Sequence, residues 1–302
     1  MSQITPYLKQ GDTVAIIATA RKINNTEIQP AKEFLESKGL NVLLGKHLFE
    51  TDNQYAGTDA QRAEDLQWAL DNKDIKAIII ARGGYGTVRL LEKIDFTEFK
   101  KQPKWLVGYS DVTVLHSAIH QLNIASMHAT MPINFFKNEE ATQSLIASLF
   151  GTMEAISISP CNQNKNGTAK GIVVGGNLSL LYALSGTAYD LETTNKILFI
   201  EDLDEYLYHL DRMMMQLKLS GKLKNLRALI VGGMTDMRDN TIPFGKTAEE
   251  IILDAVKEYD YPVCFNFPAG HIDKNLALKL GAEYELTVSA KNVELKELSA
   301  KL

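Results

Sequence analysis

Short apolar runs alternate with helical patterns along the first half of the chain. The segments TVAIIATA (13–20) and IKAIIIA (75–81) are almost continuously apolar, which is typical of strands covered on both faces. Between them, TEIQPAKEFLESKGL (26–40) and DAQRAEDLQWALDN (59–72) carry apolar residues at helical spacing. This alternation predicts an α/β fold with a doubly wound parallel sheet, in which functional residues collect at the carboxyl ends of the strands.

The regular pattern lapses over residues 153–169 and then resumes in a different form. Buried strands such as KILFIE (196–201) still occur, but the stretch after residue 276 alternates apolar and polar positions with period two. That alternation predicts antiparallel strands near the C-terminus. We therefore predict an N-terminal α/β domain (1–152), a connector, and a smaller C-terminal mixed α/β domain (170–302).

Composition narrows the possible partners and the compartment. A formal net charge of −5 without a basic stripe disfavours a nucleic-acid or anionic-membrane surface. No apolar run approaches the ~20 residues that span a membrane, and the N-terminus lacks a signal-peptide pattern. The two cysteines, Cys161 and Cys264, lie far apart and indicate free thiols in a reducing compartment. We expect a cytoplasmic protein with no nucleic-acid or membrane partner.

The glycine-rich segment RGGYGTVR (82–89) lies between a predicted strand and a helix, where dinucleotide-binding proteins carry their glycine fingerprint. Arg89 stands where that fingerprint has its third glycine, and no Walker lysine–serine pair occurs. A non-catalytic nucleotide-binding α/β protein is therefore disfavoured. The segment is either a tight strand-to-helix turn or a nest of backbone N–H groups that binds negative charge.

A metal site is also disfavoured. His116 and His120 lie one helical turn apart, but Ser117 stands where a zincin would carry its glutamate. The sequence offers no evident third ligand, so we predict neither a metal nor another cofactor.

The segment KWLVGYSDVTVL (104–115) places a serine at the sharpest bend of a strand-to-helix unit. Its GYSDV core resembles the Gly-x-Ser-x-Gly nucleophile elbow, with Val112 in place of the last glycine. Ser110 or Asp111 could instead cap the following helix, and the two roles are compatible. A serine in this position projects over the carboxyl edge of the sheet, and the backbone amide of Asp111 points towards an oxyanion.

A nucleophilic serine needs a general base, and that base needs an acid to orient it. His271 lies in the Pro-Gly turn of NFPAGHIDKN, directly after a predicted strand, where it is either a surface residue or a functional one. Glu201 ends the strand KILFIE and Asp202 follows it; Glu201 continues the apolar run, so it is the acid nearest to burial. Asp204 and Glu205 fit better at the start of the next helix.

The chain resembles the LD-carboxypeptidase family of serine peptidases, which includes muramoyltetrapeptide carboxypeptidases and microcin-C-resistance peptidases. The likeness covers nearly the whole chain and preserves the order of the motifs GDTVAIIATA, ARGGYGTVRLL, LVGYSDVTVLH, GIVVGGNLSLL, ILFIEDLDE, YLYHLDRMMMQL and NFPAGH. It implies a flavodoxin-like N-terminal domain and a smaller C-terminal α/β domain. It also implies a triad of Ser110 as nucleophile, His271 as general base and Glu201 as its orienting acid.

The resemblance further implies a substrate and its contacts. The protein would be a cytoplasmic homodimer that takes part in cell-wall recycling. It would hydrolyse a small murein tetrapeptide and release the terminal D-alanine. From the chemistry of acyl transfer, we expect the amides of Asp111 and Gly84 to form the oxyanion hole. Arg82 or the backbone amides beside it would bind the free carboxylate. The alternative is a microcin-C-type self-immunity peptidase that cleaves aminoacyl-nucleotide toxins. That branch needs an aromatic surface for adenine, and it is disfavoured because Trp68 and Trp105 fall at predicted core or strand positions and residues 150–195 show no clear stacking residue.

Overall fold

The computed structural model describes residues 5–298, so the outermost residues of the two predicted domains, 1–4 and 299–302, lie outside the described part. The chain divides into two compact units. The first unit runs to Met153 and also takes in Asp273–Lys279, and the second comprises Glu154–Ile272 and continues from Leu280. The polypeptide therefore leaves the second unit once, just after His271, before it returns.

Strands and helices are numbered along the chain. The strands within residues 5–298 are β1 (Thr13–Ile17), β2 (Asn41–Leu44), β3 (Ile75–Ile80), β4 (Trp105–Gly108), β5 (Ser126–His128), β6 (Ile156–Ile158), β7 (Gly167–Asn177), β8 (Ile197–Leu203), β9 (Ala228–Thr235), β10 (Val263–Cys264), β11 (Leu278–Leu280), β12 (Glu283–Val288) and β13 (Val293–Glu297). The α-helices in the same range are α1 (Asn25–Ser37), α2 (Asp59–Asp71), α3 (Thr97–Lys101), α4 (Thr113–Gln121), α5 (Glu139–Leu149), α6 (Leu178–Leu184), α7 (Leu207–Leu219) and α8 (Ala248–Val256).

The six-stranded sheet of the first unit has the order β2-β1-β3-β4-β5-β11. Its pairs from β2 to β5 are all parallel, and the order 2-1-3-4-5 is that of flavodoxin-like sheets. The apolar runs of β1 and β3 are almost completely buried, as continuous hydrophobic strands covered on both faces should be. The predicted doubly wound α/β fold of the N-terminal half is confirmed.

The seven-stranded sheet of the second unit has the order β10-β9-β8-β7-β12-β13-β6. Strands β7 to β10 pair in parallel, whereas β12, β13 and β6 pair antiparallel. The predicted mixed α/β character of the C-terminal half, with antiparallel strands in its tail, is confirmed. Helices α7 and α8 pack a core of Leu and Met side chains against the parallel part of this sheet.

Local signals explain where helices begin and end. Helix α1 starts with a capping box, in which Asn24 accepts from the Glu27 backbone N–H and Glu27 accepts from that of Asn24. It ends before Gly39, whose φ of +81° suits glycine at a helix end. The helix predicted after the glycine-rich segment is present as a 3₁₀-helix over Thr87–Lys93. No helix in the described part of the chain is long and apolar enough to cross a membrane.

Candidate active site

The bend after β4 holds Ser110 in a left-handed backbone conformation. Its φ is +64°, an unfavourable value for a residue with a Cβ atom, and the chain then enters a 3₁₀ turn (Ser110–Val112) that leads into α4. The N-cap residues of the turn and of α4 are Tyr109 and Val112, and neither side chain caps its helix. A strained serine between a strand and a helix is the geometry of a nucleophile elbow.

Close packing around Ser110 explains the neighbouring glycines. A Cβ atom on Gly108 would approach Val112 Cγ2 to 2.8 Å. The elbow therefore accommodates Val112 only because residue 108 is a glycine. A Cβ atom on Gly83 would lie 3.2 Å from the Ser110 hydroxyl oxygen. The glycine-rich segment thus passes directly beside the serine, and a larger residue there would crowd the hydroxyl.

His116 fixes the backbone that precedes the serine. Its Nε2–H donates to the Gly108 carbonyl over 2.9 Å, and its Nδ1 accepts from the Ser126 hydroxyl over 2.8 Å. Burial lowers the pKa of His116 to about 4, which keeps the ring neutral. Both nitrogens therefore have structural partners, and within residues 5–298 no group of three or more His, Cys, Asp or Glu side chains could hold a metal ion.

The side chain of Asp111 connects the serine turn to the glycine-rich segment. This carboxylate is only 1% exposed, and its Oδ2 accepts from the Thr87 backbone N–H over 2.8 Å. The Thr87 hydroxyl lies 2.9 Å from that of Thr19, which follows β1. Burial raises the pKa of Asp111, although the Thr87 hydrogen bonds oppose this effect. Side chains that follow three neighbouring strands are thereby joined, a network that no sequence motif indicated.

Gly84 and Arg82 lie in the same segment after β3. Gly84 has a φ of +129°, and a Cβ atom there would approach Arg21 Cγ to 2.6 Å. The half-buried Arg82 donates from Nη1 to the Lys22 carbonyl over 3.1 Å. Both residues follow the strand next to β4, at the edge of the sheet where Ser110 emerges.

In the second unit, Glu201 and His271 form a hydrogen-bonded pair. Glu201, in β8, is completely buried, and its Oε2 accepts from His271 Nδ1 over 2.7 Å and from the His271 backbone N–H over 3.0 Å. Because Nδ1 donates to the carboxylate, the lone pair of the neutral ring resides on Nε2. The same carboxylate oxygen thus fixes both the orientation and the tautomer of the imidazole. The other oxygen, Oε1, has no hydrogen-bond partner in the described part of the chain.

Glycines shape the space around this carboxylate. The register between β8 and β9 shifts at Glu201, where two residues of β9, Gly232 and Gly233, lie opposite one residue of β8. A Cβ atom on Gly232 would lie 2.3 Å from the Ala269 carbonyl oxygen, and one on Gly270 would lie 2.7 Å from Glu201. Gly232 and Gly270 therefore leave room for the buried side chain of Glu201.

Opposing effects set the protonation of His271, whose side chain is 14% exposed. Burial is the largest influence and lowers its pKa, but the hydrogen bond and charge of Glu201 and the charge of Asp202 together raise it above the ordinary value. The ring is therefore a stronger base than a free histidine, and the protonated form is stabilised by a fixed negative charge.

The predicted site residues fall into two groups. Glu201 and His271 lie together in the second unit, whereas Ser110, Asp111 and the glycine-rich segment lie at one sheet edge of the first unit. Sequence motifs did not reveal the structural roles of His116 or of the Asp111 side chain, because their partners belong to other strands.

Comparison with known proteins identifies the family. The profile of the LD-carboxypeptidase N-terminal domain matches residues 14–129, and that of its C-terminal domain matches residues 170–286. The "Probable murein peptide carboxypeptidase" of Bacillus subtilis is 35% identical over 300 residues, which cover 96% of this chain and 93% of the relative. The "Murein tetrapeptide carboxypeptidase" of Pseudomonas aeruginosa is 30% identical and covers 89% of this chain and 91% of its own.

Solved structures agree with this assignment. The muramoyltetrapeptide carboxypeptidase from Oxalobacter formigenes superposes with a TM-score of 0.86 at 27% identity, over 96% of this chain and all of the other. The microcin C7 self-immunity protein MccF, in complex with aspartyl sulfamoyl adenosine, shares the fold at 23% identity, with a TM-score of 0.85 over 98% of this chain and 99% of its own. The chain therefore belongs to the LD-carboxypeptidase family of peptidases.

Proposed function

We propose that this protein is a serine LD-carboxypeptidase that releases the terminal D-alanine of murein tetrapeptides. The observation that carries the proposal is the buried Glu201–His271 pair, which directs the lone pair of the imidazole to Nε2. The left-handed backbone of Ser110 at a strand-to-helix bend supports the role of nucleophile. The named relatives support a murein peptide as the substrate.

The proposed reaction is acyl transfer in two steps. Ser110 Oγ attacks the carbonyl carbon of the L,D-peptide bond while its proton passes to His271 Nε2. The C–N bond then breaks, the proton passes from His271 to the leaving amine of D-alanine, and an acyl-serine remains. Water, deprotonated by the same imidazole, hydrolyses this ester and restores Ser110. Throughout, Glu201 orients the ring and stabilises the imidazolium.

Oxyanion and carboxylate binding complete the proposal. The backbone amides of Asp111 and Gly84 donate to the oxyanion, each contributing about 2.7–4 kcal/mol to transition-state stabilisation. Arg82, or the amides beside it, binds the free carboxylate of D-alanine, as a carboxypeptidase requires. The Asp111–Thr87 hydrogen bond supports this arrangement because it fixes the two donor segments to each other.

A cytoplasmic location and a homodimeric state are also part of the proposal, since the resemblance implies both. Cell fractionation tests the location, and light scattering of the purified protein tests the oligomeric state. A membrane-bound protein would contradict the proposed location, and a strictly monomeric protein would contradict the proposed dimer. Neither result would affect the proposed reaction.

The substrate assay uses a tetrapeptide that ends in a diamino acid and D-alanine. We expect wild-type protein to release D-alanine and to leave the same peptide with terminal L-alanine intact. Ser110→Ala should abolish release. Ser117→Ala is the matched control, because Ser117 is a buried serine of α4 whose hydroxyl has no hydrogen-bond partner within residues 5–298.

The competing substrate is an aminoacyl-sulfamoyl nucleotide, assayed at the same concentration. Preferential cleavage of this compound would assign the protein to the self-immunity branch instead. Cleavage of neither compound, or full activity of Ser110→Ala, would overturn the proposed function.

A further inference from the structure

Asp202 is a second buried carboxylate, adjacent to Glu201 on β8. Successive side chains of a strand point to opposite faces, so the two carboxylates extend from opposite sides of the strand. Asp202 is 1% exposed and accepts three hydrogen bonds of 2.9 Å, from the side-chain amide of Asn177 and from the backbone N–H groups of Ser179 and Leu203. Hydrogen bonds from these donors stabilise the ionised form of the buried carboxylate.

These hydrogen bonds also join the ends of two parallel strands. Asn177 is the last residue of β7 and pairs directly with Glu201 in the sheet register. It is also the cap of α6, because its side chain accepts from the Leu180 backbone N–H. Asp202 therefore ties the end of β7 and the first turn of α6 to the part of β8 that carries Glu201.

The charge of Asp202 reaches the histidine through space. Burial and then repulsion from Glu201 raise the pKa of Asp202 to about 7, with Glu205 adding a smaller repulsion, while donors from Leu203 and Asn177 oppose the shift. Glu201 and Asp202 are both charged groups of the second unit that act on His271, and both favour its protonated form.

We propose that Asp202 is a positioning residue of the Glu201–His271 pair, which stabilises the His271 imidazolium electrostatically and fixes the strand ends from which the pair projects. This inference rests on the proposed function only for its catalytic consequence. When Ser110 transfers its proton, positive charge develops on His271, and the negative charge that Asp202 carries in its ionised form lowers the energy of that state. Asp202 itself exchanges no proton with the substrate in this scheme.

The test is a titration of His271 by NMR in the complete protein. Histidines are labelled with ¹³C at the ring, and the His271 signal is assigned by its loss in His271→Gln. Asp202→Asn removes the charge and nearly preserves the shape, so the titration midpoint of His271 should fall by roughly 0.5–1 pH unit. Asp204→Asn is the matched control, because Asp204 is 58% exposed and paired with Arg238; solvent screening should leave the midpoint unchanged.

Kinetics provide the second readout. The acid limb of the kcat/KM profile should move to lower pH by the same amount in Asp202→Asn, and kcat on the plateau should fall about 3- to 10-fold. KM should remain near the wild-type value, since Asp202 is not proposed to contact the peptide. A loss confined to stability would leave both the midpoint and the acid limb in place.

An unchanged His271 midpoint in folded Asp202→Asn would overturn the inference. Should that variant fail to fold, Asp202→Ser supplies a smaller polar replacement for the same titration, and the same unchanged midpoint counts against the inference. The two proposals fail separately: a shifted midpoint in a protein without D-alanine release removes only the proposed function. D-alanine release with an unchanged midpoint removes only the role of Asp202.

Discussion

The imidazole of His116 shows how a residue without a chemical role in the proposed reaction can determine the geometry of the nucleophile turn. It is enclosed in the first unit, and its Nε2–H holds the Gly108 carbonyl two residues before Ser110. Sequence alone left His116 and His120 as a weak metal candidate. The structural role depends on Ser126 of the neighbouring strand, which no local motif connects to His116.

His116 should make folding stability depend on pH. Its pKa in the folded protein is about 4, below the ordinary value of 6.5, so the unfolded chain takes up a proton that the folded protein excludes. Stability should therefore fall by about 3 kcal/mol as pH decreases from 6.5 to 4. Denaturant unfolding at pH 4.5 and 7 measures this loss in wild type and in His116→Gln. Parallel pH dependence in both proteins would contradict the buried neutral ring.

The left-handed backbone conformation of Ser110 should lower the free energy of unfolding. Glycine adopts a positive φ without the penalty that a Cβ atom incurs, so Ser110→Gly should be more stable than Ser110→Ala by about 1 kcal/mol. Both variants should lack D-alanine release. Thermal unfolding compares the two, and equal stability would mean that the left-handed conformation of Ser110 is not strained.

At the residue scale, the sequence suggested candidate residues wherever a motif carries its own context. Ser110, Glu201 and His271 could each be selected because they follow apolar strands and stand in ordered family motifs. The carboxylates of Asp111 and Asp202 acquired their roles only from Thr87, Asn177 and other partners on neighbouring strands. Sheet register creates those contacts, and register cannot be derived from local spacing.

At the scale of elements, the irregular pairing of β8 and β9 creates the space for Glu201. Two glycines of β9 lie opposite a single buried glutamate. Because they lack side chains, the turn that carries His271 can approach the end of β9 closely. In the sequence, the glycine pair is visible only as the end of an apolar run, IVGGM (230–234). The bulge itself depends on the partner strand and was not predictable.

Gly232→Ala should damage both stability and activity. The new Cβ atom would lie 2.3 Å from the Ala269 carbonyl oxygen and 2.9 Å from Phe199, so backbone must move at a cost of about 1–3 kcal/mol. Displacement of Glu201 should lower kcat for D-alanine release as well. In the control Gly171→Ala, the Cβ atom would lie 3.3 Å from the flexible Arg227 side chain, and little change is expected. Wild-type stability of Gly232→Ala in denaturant unfolding would argue against this packing.

Long apolar runs predicted the central strands of both sheets, whereas the shortest strands could not be predicted from the hydrophobic pattern. Within the predicted connector 153–169, Ile156–Ile158 forms β6, which pairs with β13 far along the chain. The strand β11 has three residues and joins the sheet of the first unit from near the C-terminus. Such short strands are stabilised by their partners rather than by their own sequence, so periodicity over a few residues cannot reveal them.

At the scale of the whole molecule, the proposed mechanism takes its nucleophile from the first unit and its base and orienting acid from the second. In this proposed mechanism, each unit supplies part of the chemistry. The first has a serine in a left-handed conformation with nearby backbone donors, and the second has an oriented imidazole whose pKa is raised. The mechanism therefore requires that residues of the two units act in the same chemical step, and functional coupling between them is its central claim.

A double-mutant cycle on D-alanine release tests that claim most directly, with Ser110→Ala, His271→Ala and the double variant. Residues that act as one catalytic unit fail together, so each single change should lower kcat by roughly 10⁴–10⁶-fold, and the double variant should be no slower than the slower single variant. Losses that multiply in the double variant, or wild-type turnover by either single variant, would contradict a shared serine–histidine mechanism.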